Sequence, residues 1–452
     1  MGYINMKKFN KDKYLKKLRF KKYKRYLYIG IPCILVLLMG IYFAYSKFSV
    51  SKEEEVVRTT VGEFIHGDVV IGAYIDGEYS NTIPGKNDGY VVKSVSCDNN
   101  ATGSWNNDSW GIVLTNLTKR TKCNIYFETK KPSLNEAVTT AMSNNPSMFA
   151  SDDADKNVRY IGANPSNYVY FNCSDYNNQS DSTCEKWRII GVFNNVTKGD
   201  GSKENLVKII RADSLGNYSW DSSDSSVNNG FGVNDWTDAD AMKLLNPGYD
   251  SEIVGGSLYY NAKSGTCYYG RNNATTSCDF TSTGLKNDTT RNAIEEVVWN
   301  LGGTSTYDSA SNGLASHFYG YERGTTVYTG RPTIWTGKVG LMYPSDYGYA
   351  TSGGTTKDRA TCLAKELYNW DSSDFSDCKG NDYLFDANNW QWTLAPGLAF
   401  AYRVFRVNSD GFVDDNGARN TYVVRPVLFL KSNIQVDKGT GAKSDPYTLK
   451  MQ

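Results

Sequence analysis

Residues 26–45 form a continuous stretch without a charged side chain, and eleven Lys or Arg residues precede it between Lys7 and Arg25. A helix of this length reaches across roughly 30 Å of hydrocarbon. Basic residues beside such a span tend to stay in the cytoplasm. The sequence therefore predicts a single-pass cell-membrane protein with a basic cytoplasmic tail (1–25), a transmembrane helix (26–45) and the bulk of the chain outside the cell.

A cleaved signal peptide and a buried core helix are the alternatives for this apolar segment. The segment is long for the apolar part of a signal peptide, and no small-x-small cleavage site follows it closely. The net charge of the whole chain is only +1, because the rest of the chain is slightly acidic. A nucleic-acid partner is therefore not expected.

The cysteines indicate an oxidising compartment, where disulfides form and persist. Outside the apolar segment they fall into four couples that are each local in sequence. Neither C-x-x-C spacing nor a histidine cluster accompanies them, which argues against a metal site. Free buried thiols are the alternative to disulfides. The predicted pairs are Cys97–Cys123, Cys173–Cys184, Cys267–Cys278 and Cys362–Cys378.

Changes in composition along the chain indicate its division into segments. Residues 46–61 are predicted to be a solvated stalk, and 62–130 a small all-β module of short apolar runs broken by Gly, Asn and Asp. A linker and helix follow over 131–154, with a capping box at Ser133 and Glu136.

Residues 155–452 mix candidate strands and helices without a βαβ alternation, which predicts an α+β fold. One helix is predicted to begin near Thr237. Another is predicted over 294–301, because Ile294, Val297, Val298 and Leu301 recur at helical spacing.

Catalytic and metal-binding patterns are sparse. The chain has only two histidines, His66 and His317, and it lacks a nucleophile elbow, a P-loop and a dinucleotide fingerprint. Acidic clusters at 152–155 and 410–415 could offer oxygens to Ca²⁺, but solvated turns are the commoner explanation. The sequence predicts neither an enzyme nor a cofactor or metal.

Tyrosine is abundant, with 33 residues, and it occurs beside asparagine and serine in segments that must be loops. Binding loops of antibodies have a similar composition, since tyrosine gives contact area at a low cost in entropy. A genome of low GC content would also favour tyrosine and asparagine codons.

Residues 405–414 alternate between two kinds of side chain. Phe405, Val407 and Val413 form one set, which a hairpin turning near 409–411 would bury. The opposite set is expected to lie on one outward face and consists of Arg406, Asn408, Asp410, Phe412 and Asp414.

These residues belong to a longer pattern, which resembles C-type-lectin-like domains of the formylglycine-generating-enzyme type. It is most similar to the DUF6273-like version in surface proteins of Gram-positive gut bacteria. The resemblance covers roughly residues 155–450 and rests on Trp392-Thr-Leu-Ala-Pro396, Val404-Phe405-x-Val407, Gly411-x-Val413, Val424-Arg425-Pro426-Val427-Leu428, Arg159-Tyr-Ile-Gly-Ala163, Trp187-Arg-Ile-Ile-Gly191 and Gly340-Leu-Met-Tyr-Pro344.

The resemblance implies a C-type-lectin-like ligand-binding head over 155–452. Some domains of this shape are targets of diversity-generating retroelements, which vary residues just before the closing strand. Lectin calcium motifs and the copper-binding cysteine pair of the formylglycine-generating enzyme are absent, so neither sugar specificity nor that activity carries over. The expected ligand-binding residues are Phe400, Tyr402, Arg403, Arg406, Asn408, Asp410, Phe412, Asp414, Asp415, Arg419 and Asn420.

The predicted function is adhesion or recognition at the cell surface, with an extracellular protein or glycan as the ligand. An extracellular enzyme of cell-wall or glycan chemistry and a purely structural surface protein are the alternatives.

Overall fold

The computed structural model describes residues 57–59, 69–117, 119–222, 230–246, 264–266, 277–279 and 284–451. The predicted cytoplasmic tail (1–25) and transmembrane helix (26–45) lie outside these residues. Within the described ranges, no helix is long and apolar enough to cross a membrane. The prediction of a transmembrane helix is therefore not supported.

The predicted α+β fold class is wrong. Strands make up 36% of the structure and helices only 15%, so the fold is mostly β-sheet. One apolar stretch with helical spacing, residues 294–301, contains a strand instead of the predicted helix.

The chain divides into two compact units, and the boundary in the sequence lies between Lys130 and Lys131. In the first unit, β2 pairs in parallel with β7 at the centre of a four-stranded sheet, and β1 pairs in parallel with β6 in a three-stranded sheet. Residues 57–59 of the predicted stalk thus form a strand. The strands are β1 (Val57–Thr59), β2 (Val69–Ile75), β3 (Glu78–Ser80), β4 (Tyr90–Cys97), β5 (Thr102–Asn106), β6 (Gly111–Thr115) and β7 (Thr121–Thr129).

The described residues of the second unit form two larger sheets and three strand pairs. Its strands are β8 (Phe149–Ala150), β9 (Val158–Tyr160), β10 (Tyr168–Phe171), β11 (Glu185–Thr197), β12 (Lys203–Arg211), β13 (Asn217–Ser219), β14 (Ser264–Thr266), β15 (Ser277–Asp279), β16 (Val297–Asn300), β17 (Ile334–Gly337), β18 (Val339–Gly340), β19 (Gln391–Gly397), β20 (Arg403–Val407), β21 (Val413–Gly417), β22 (Thr421–Val423), β23 (Val427–Leu430), β24 (Gln435–Lys438) and β25 (Thr448–Lys450).

One large sheet has the order β18-β23-β12-β11-β9-β8, with β10 also paired to β11. The other has the order β13-β22-β19-β20-β21 and carries the C-terminal hairpin. Side chains from both sheets join one hydrophobic core, in which Trp187, Trp220 and Trp299 are fully buried. The five-stranded sheet is therefore a rigid base for the residues that the sequence singled out.

The helices are short. The predicted capping box is confirmed, because Ser133 Oγ accepts the Glu136 N–H while the Glu136 carboxylate accepts the Ser133 N–H. The helices are α1 (Leu134–Asn144), α2 (Asp240–Leu245), α3 (Asp288–Ala293), α4 (Ala315–Glu322), α5 (Pro344–Tyr349) and α6 (Arg359–Leu363), with 3-10 turns at Pro146–Met148, Trp236–Asp238 and Leu367–Asn369.

The helix predicted over residues 294–301 is wrong. Residues Val297–Asn300 form strand β16, which pairs with Ile334–Gly337 in antiparallel register. Two valines and a tryptophan suit a pleated surface better than a helix. Trp299 is nevertheless in the core.

A buried charge cluster links two strands of the seven-stranded sheet to helix α5, and we call it the Asp346 cluster. Arg159 of β9 places Nη1 2.8 Å from Oδ1 of Asp346, and Lys208 of β12 binds the other oxygen of the same carboxylate. None of the three side chains is more than 2% exposed. Burial alone would raise the pKa of Asp346, but the charges of Lys208 and Arg159 hold it well below its usual value.

Three of the predicted disulfides are present: Cys97–Cys123, Cys173–Cys184 and Cys362–Cys378. Each one closes a loop within a single unit. Cys267 lies outside the described residues, so the fourth pair stays a prediction.

Peptide mapping under non-reducing conditions is expected to recover each of these local pairs, together with Cys267–Cys278. The physical reason is that partners close in sequence meet early and at a low entropic cost. Recovery of a long-range link such as Cys173–Cys378 would contradict both the structure and the local-pairing rule.

Candidate functional site

The C-terminal hairpin consists of β20 and β21, which pair from Arg403–Gly417 to Val407–Val413. Phe405, Val407 and Val413 are fully buried, so the predicted inward set is confirmed. The turn closes through a 2.8 Å hydrogen bond from the Asn408 N–H to the Phe412 carbonyl. Gly411 has a φ of +88°, which an L side chain rarely adopts.

Two residues of the predicted outward set are buried. Arg406 is only 5% exposed and Asn408 only 4%. Arg406 forms a two-pronged ion pair with Asp414, with N···O distances of 2.7 and 2.9 Å. Trp390 covers its guanidinium at 4.0 Å from the ring centroid. Side chains of neighbouring segments therefore cover this part of the outward face, which alternation along one hairpin cannot reveal.

An exposed column of three aromatic rings lies at the open end of the hairpin, and we call it the aromatic stack. Phe231 stacks on Tyr402 at 5.0 Å between ring centroids, and Tyr402 stacks on Phe400 at 5.4 Å. Phe231 is 41% exposed and Phe400 50% exposed. Large apolar side chains are rarely left together in solvent without a role in binding.

Two arginines flank the aromatic stack. The Arg419 guanidinium lies 5.4 Å from the ring centroid of Phe231, and that of Arg403 lies 5.7 Å from the ring centroid of Tyr402. Arg403 also donates to the Asp415 carbonyl at 3.0 Å. The stack thus offers flat apolar faces and planar cations side by side, a combination that suits both stacking and carboxylate binding.

Asp415 points away from solvent, although the sequence placed it on the recognition face. Its carboxylate accepts a hydrogen bond from the Tyr307 hydroxyl at 3.0 Å and lies 3.7 Å from Arg403. Burial raises the pKa of Asp415 above its usual value. This residue orients Arg403 from below and does not offer its own charge to a ligand.

The other predicted residues lie apart from the aromatic stack. Asp410 is exposed at the hairpin turn, and Phe412 contacts Tyr368 there. The turn is about 14 Å from the open end, at about 3.4 Å for each strand residue. Asn420 donates to Asn416, whose own side chain donates to the Tyr422 hydroxyl. The structure therefore brings together Phe400, Tyr402, Arg403 and Arg419, but not the whole predicted set.

A single asparagine side chain fixes the loop that carries Phe400 and Tyr402, and we call this contact the Asn234 clamp. The Asn234 amide nitrogen donates to the carbonyls of Gly397, Phe400 and Arg403 at 2.9 to 3.1 Å. Asn234 itself is 2% exposed. All three acceptors are backbone atoms, so the loop is held without using its side chains.

Sequence reasoning missed Phe231, Trp390 and Tyr422. Phe231 lies 169 positions before Phe400 and is brought to it only by the fold. One signal was available: Phe231 is a lone large apolar residue between Gly230 and Gly232. Gly232 has a φ of +87° and lies close to the Asp221 carbonyl, so the chain bends sharply beside the ring.

In the described part of the chain, no group of three or more His, Cys, Asp or Glu side chains is placed to hold a metal ion. In the acidic cluster at 152–155, Asp153 lies 2.6 Å from Arg159 and Asp155 3.7 Å from Arg323. The carboxylates of Asp153 and Asp155 therefore form ion pairs with arginines.

No family model, curated protein or solved structure matches this chain. The likeness to C-type-lectin-like domains stays a prediction from sequence. The candidate site therefore rests on its own geometry.

Proposed function

We propose that the second unit is an extracellular recognition module, which binds its ligand through the aromatic stack and the two arginines beside it. The observation that carries this proposal is the exposure of Phe231 and Phe400 in one stacked column with Tyr402. Aromatic residues and arginine dominate the residues that contribute most to binding at protein interfaces.

The chemistry of the stack favours a ligand with a flat apolar group and an acidic group close together. The apolar group would pack on the exposed rings of Phe231 and Phe400. The acidic group would bind the guanidinium of Arg419, because a planar guanidinium can donate two parallel hydrogen bonds to a carboxylate. Acidic segments of extracellular proteins and acidic glycans both have this character.

The disulfides support a location outside the cytoplasm, since they persist in oxidising compartments. The resemblance to C-type-lectin-like domains supports the same function, because these domains commonly act in recognition. Diversification by a retroelement would be visible in the encoding DNA, as a near-copy of codons 390–425 beside a reverse transcriptase.

Exchange of Phe400 and Tyr402 for alanine in one variant is expected to weaken binding at least about tenfold, because such anchors commonly contribute 2 kcal/mol or more. The measurement uses the full chain on glycan and extracellular-protein arrays. Tyr79→Ala is the matched control, since Tyr79 is 64% exposed but belongs to the first unit. Unchanged binding of every target by the double variant would place the recognition face elsewhere.

Val407→Ala is expected to lower the free energy of unfolding by about 1–3 kcal/mol, since it removes fully buried methyl groups. The double variant at Phe400 and Tyr402 is expected to change it by less than about 1 kcal/mol. Thermal or denaturant unfolding of both variants tests the assignment of inside and outside. A double variant less stable than Val407→Ala would show that the aromatic stack is structural.

A further inference from the structure

A cavity of about 200 Å³ opens on the second unit beside the Asp346 cluster, apart from the aromatic stack. Three charged side chains line it. Asp155 and Arg323 are partly exposed, at 55% and 25%, whereas Lys208 is only 1% exposed. The Lys208 amine is therefore the most deeply buried charged group of the cavity.

Aromatic rings surround the Lys208 amine. Its Nζ lies 4.6 Å from the ring centroid of Tyr343 and 5.0 Å from that of Phe193. The rings of Trp299 and Phe429 follow at 5.8 and 5.7 Å. All four aromatic residues also line the cavity. A small molecule that enters would meet flat apolar walls with one primary amine among them.

Burial leaves part of this amine unprotonated near neutral pH. Burial lowers the pKa of Lys208 to about 8, although the Asp346 carboxylate opposes the change. The positive charges of Arg159 and Arg323 act in the same direction as burial. With a pKa of about 8, roughly a tenth of the amine is free at pH 7, compared with less than about a thousandth for an ordinary lysine.

We propose that Lys208 forms an imine with a small aldehyde that enters this cavity. The amine nitrogen attacks the carbonyl carbon, and the carbonyl electron pair moves to oxygen. A proton passes from nitrogen to that oxygen, which gives the carbinolamine. The hydroxyl group of the carbinolamine then takes up a proton from solvent and leaves as water, which gives a protonated C=N bond to Lys208. Its positive charge replaces that of the ammonium group beside Asp346, so the charge balance of the cluster is kept.

The dimensions of the cavity define the class of aldehyde. Its volume is below the roughly 300–1,000 Å³ of pockets for drug-sized ligands. Its walls are rings, and its other lining residues include Asn157, Asn194 and Asn300. A compact aldehyde with one flat group fits these walls, whereas a large polycyclic aldehyde does not.

The test exposes the full chain to benzaldehyde at pH 7 with cyanoborohydride, which delivers hydride to the imine carbon and fixes it as a secondary amine. Peptide mass spectrometry then gives the modified fraction at each lysine. Lys208 is expected to be modified at least about tenfold faster than the exposed Lys203 and Lys443. Modification of Lys208 at or below the rate of these two lysines would overturn the proposal.

Two controls separate reaction in the cavity from general reactivity. Pyrenecarboxaldehyde is expected to modify Lys203 and Lys443 but not Lys208, because it is too large to enter. Lys208→Arg keeps a cation beside Asp346 and cannot form the imine, so the fast reaction should disappear. The comparison among lysines is made within the unaltered protein, so its result does not depend on the folding of the variant. Equal modification of Lys208 by both aldehydes would refute binding in the cavity.

Discussion

Asp346→Asn is expected to lower the free energy of unfolding by about 3–5 kcal/mol, because it leaves Arg159 and Lys208 buried together without their shared carboxylate. Asparagine has nearly the same shape as aspartate, so the loss reports charge and not packing. Its amide also presents an N–H₂ group to two donors, which adds an unfavourable contact. Denaturant unfolding at pH 7 measures the change.

Asp437→Asn is the matched control for this prediction. Asp437 pairs with Lys131 at 3.6 Å, but both side chains are about 40% exposed. Surface pairs of this kind contribute about 0–1 kcal/mol. Equal effects of the two substitutions would mean that the Asp346 cluster is hydrated and contributes no more than a surface pair.

The stability of Glu322→Gln relative to the wild type is expected to increase as the pH rises. Burial raises the pKa of Glu322 from 4.5 to about 7, although Arg323 opposes the change. The folded state therefore holds a proton that the unfolded state has released between these values. The wild-type chain loses stability as the pH rises through this window, whereas glutamine does not titrate.

The stability of the glutamine variant relative to wild type should increase by about 3 kcal/mol between pH 4.5 and pH 8, at about 1.36 kcal/mol for each unit of pKa. Glu204→Gln is the control with the opposite sign. A hydrogen bond from Ser432 lowers the pKa of Glu204, so ionisation of that carboxyl stabilises the folded state as the pH rises. A flat pH profile for the Glu322→Gln difference would show that Glu322 is ionised in the fold at a normal pKa.

Features that depend on neighbours in sequence could be predicted. The capping box of α1 spans four residues, and the hairpin of β20 and β21 spans fifteen. The disulfides that the structure describes join cysteines 11 to 26 positions apart. In each case one short segment of the chain contains both partners. The residue types and their spacing in that segment are therefore enough to predict the contact.

Features that depend on distant partners could not be predicted. Arg159 and Asp346 are 187 positions apart. The sequence around either residue does not indicate that the two form an ion pair. Arg406 was expected to face solvent, but Tyr422 and Trp390 of neighbouring segments enclose it. The alternation of polar and apolar residues along a strand assigns each side chain to one face of the sheet. Whether that face is buried depends on which distant segments pack against it.

The Asn234 clamp has a consequence for how this surface can evolve. The clamp holds backbone carbonyls, and every amino acid supplies the same carbonyl. Mutations at positions 400 and 402 would therefore exchange the rings while the loop keeps its path, and the hydrophobic core beneath would not change. A lineage could explore new specificities at these positions without first acquiring compensating mutations, whereas loss of Asn234 itself would release the whole loop.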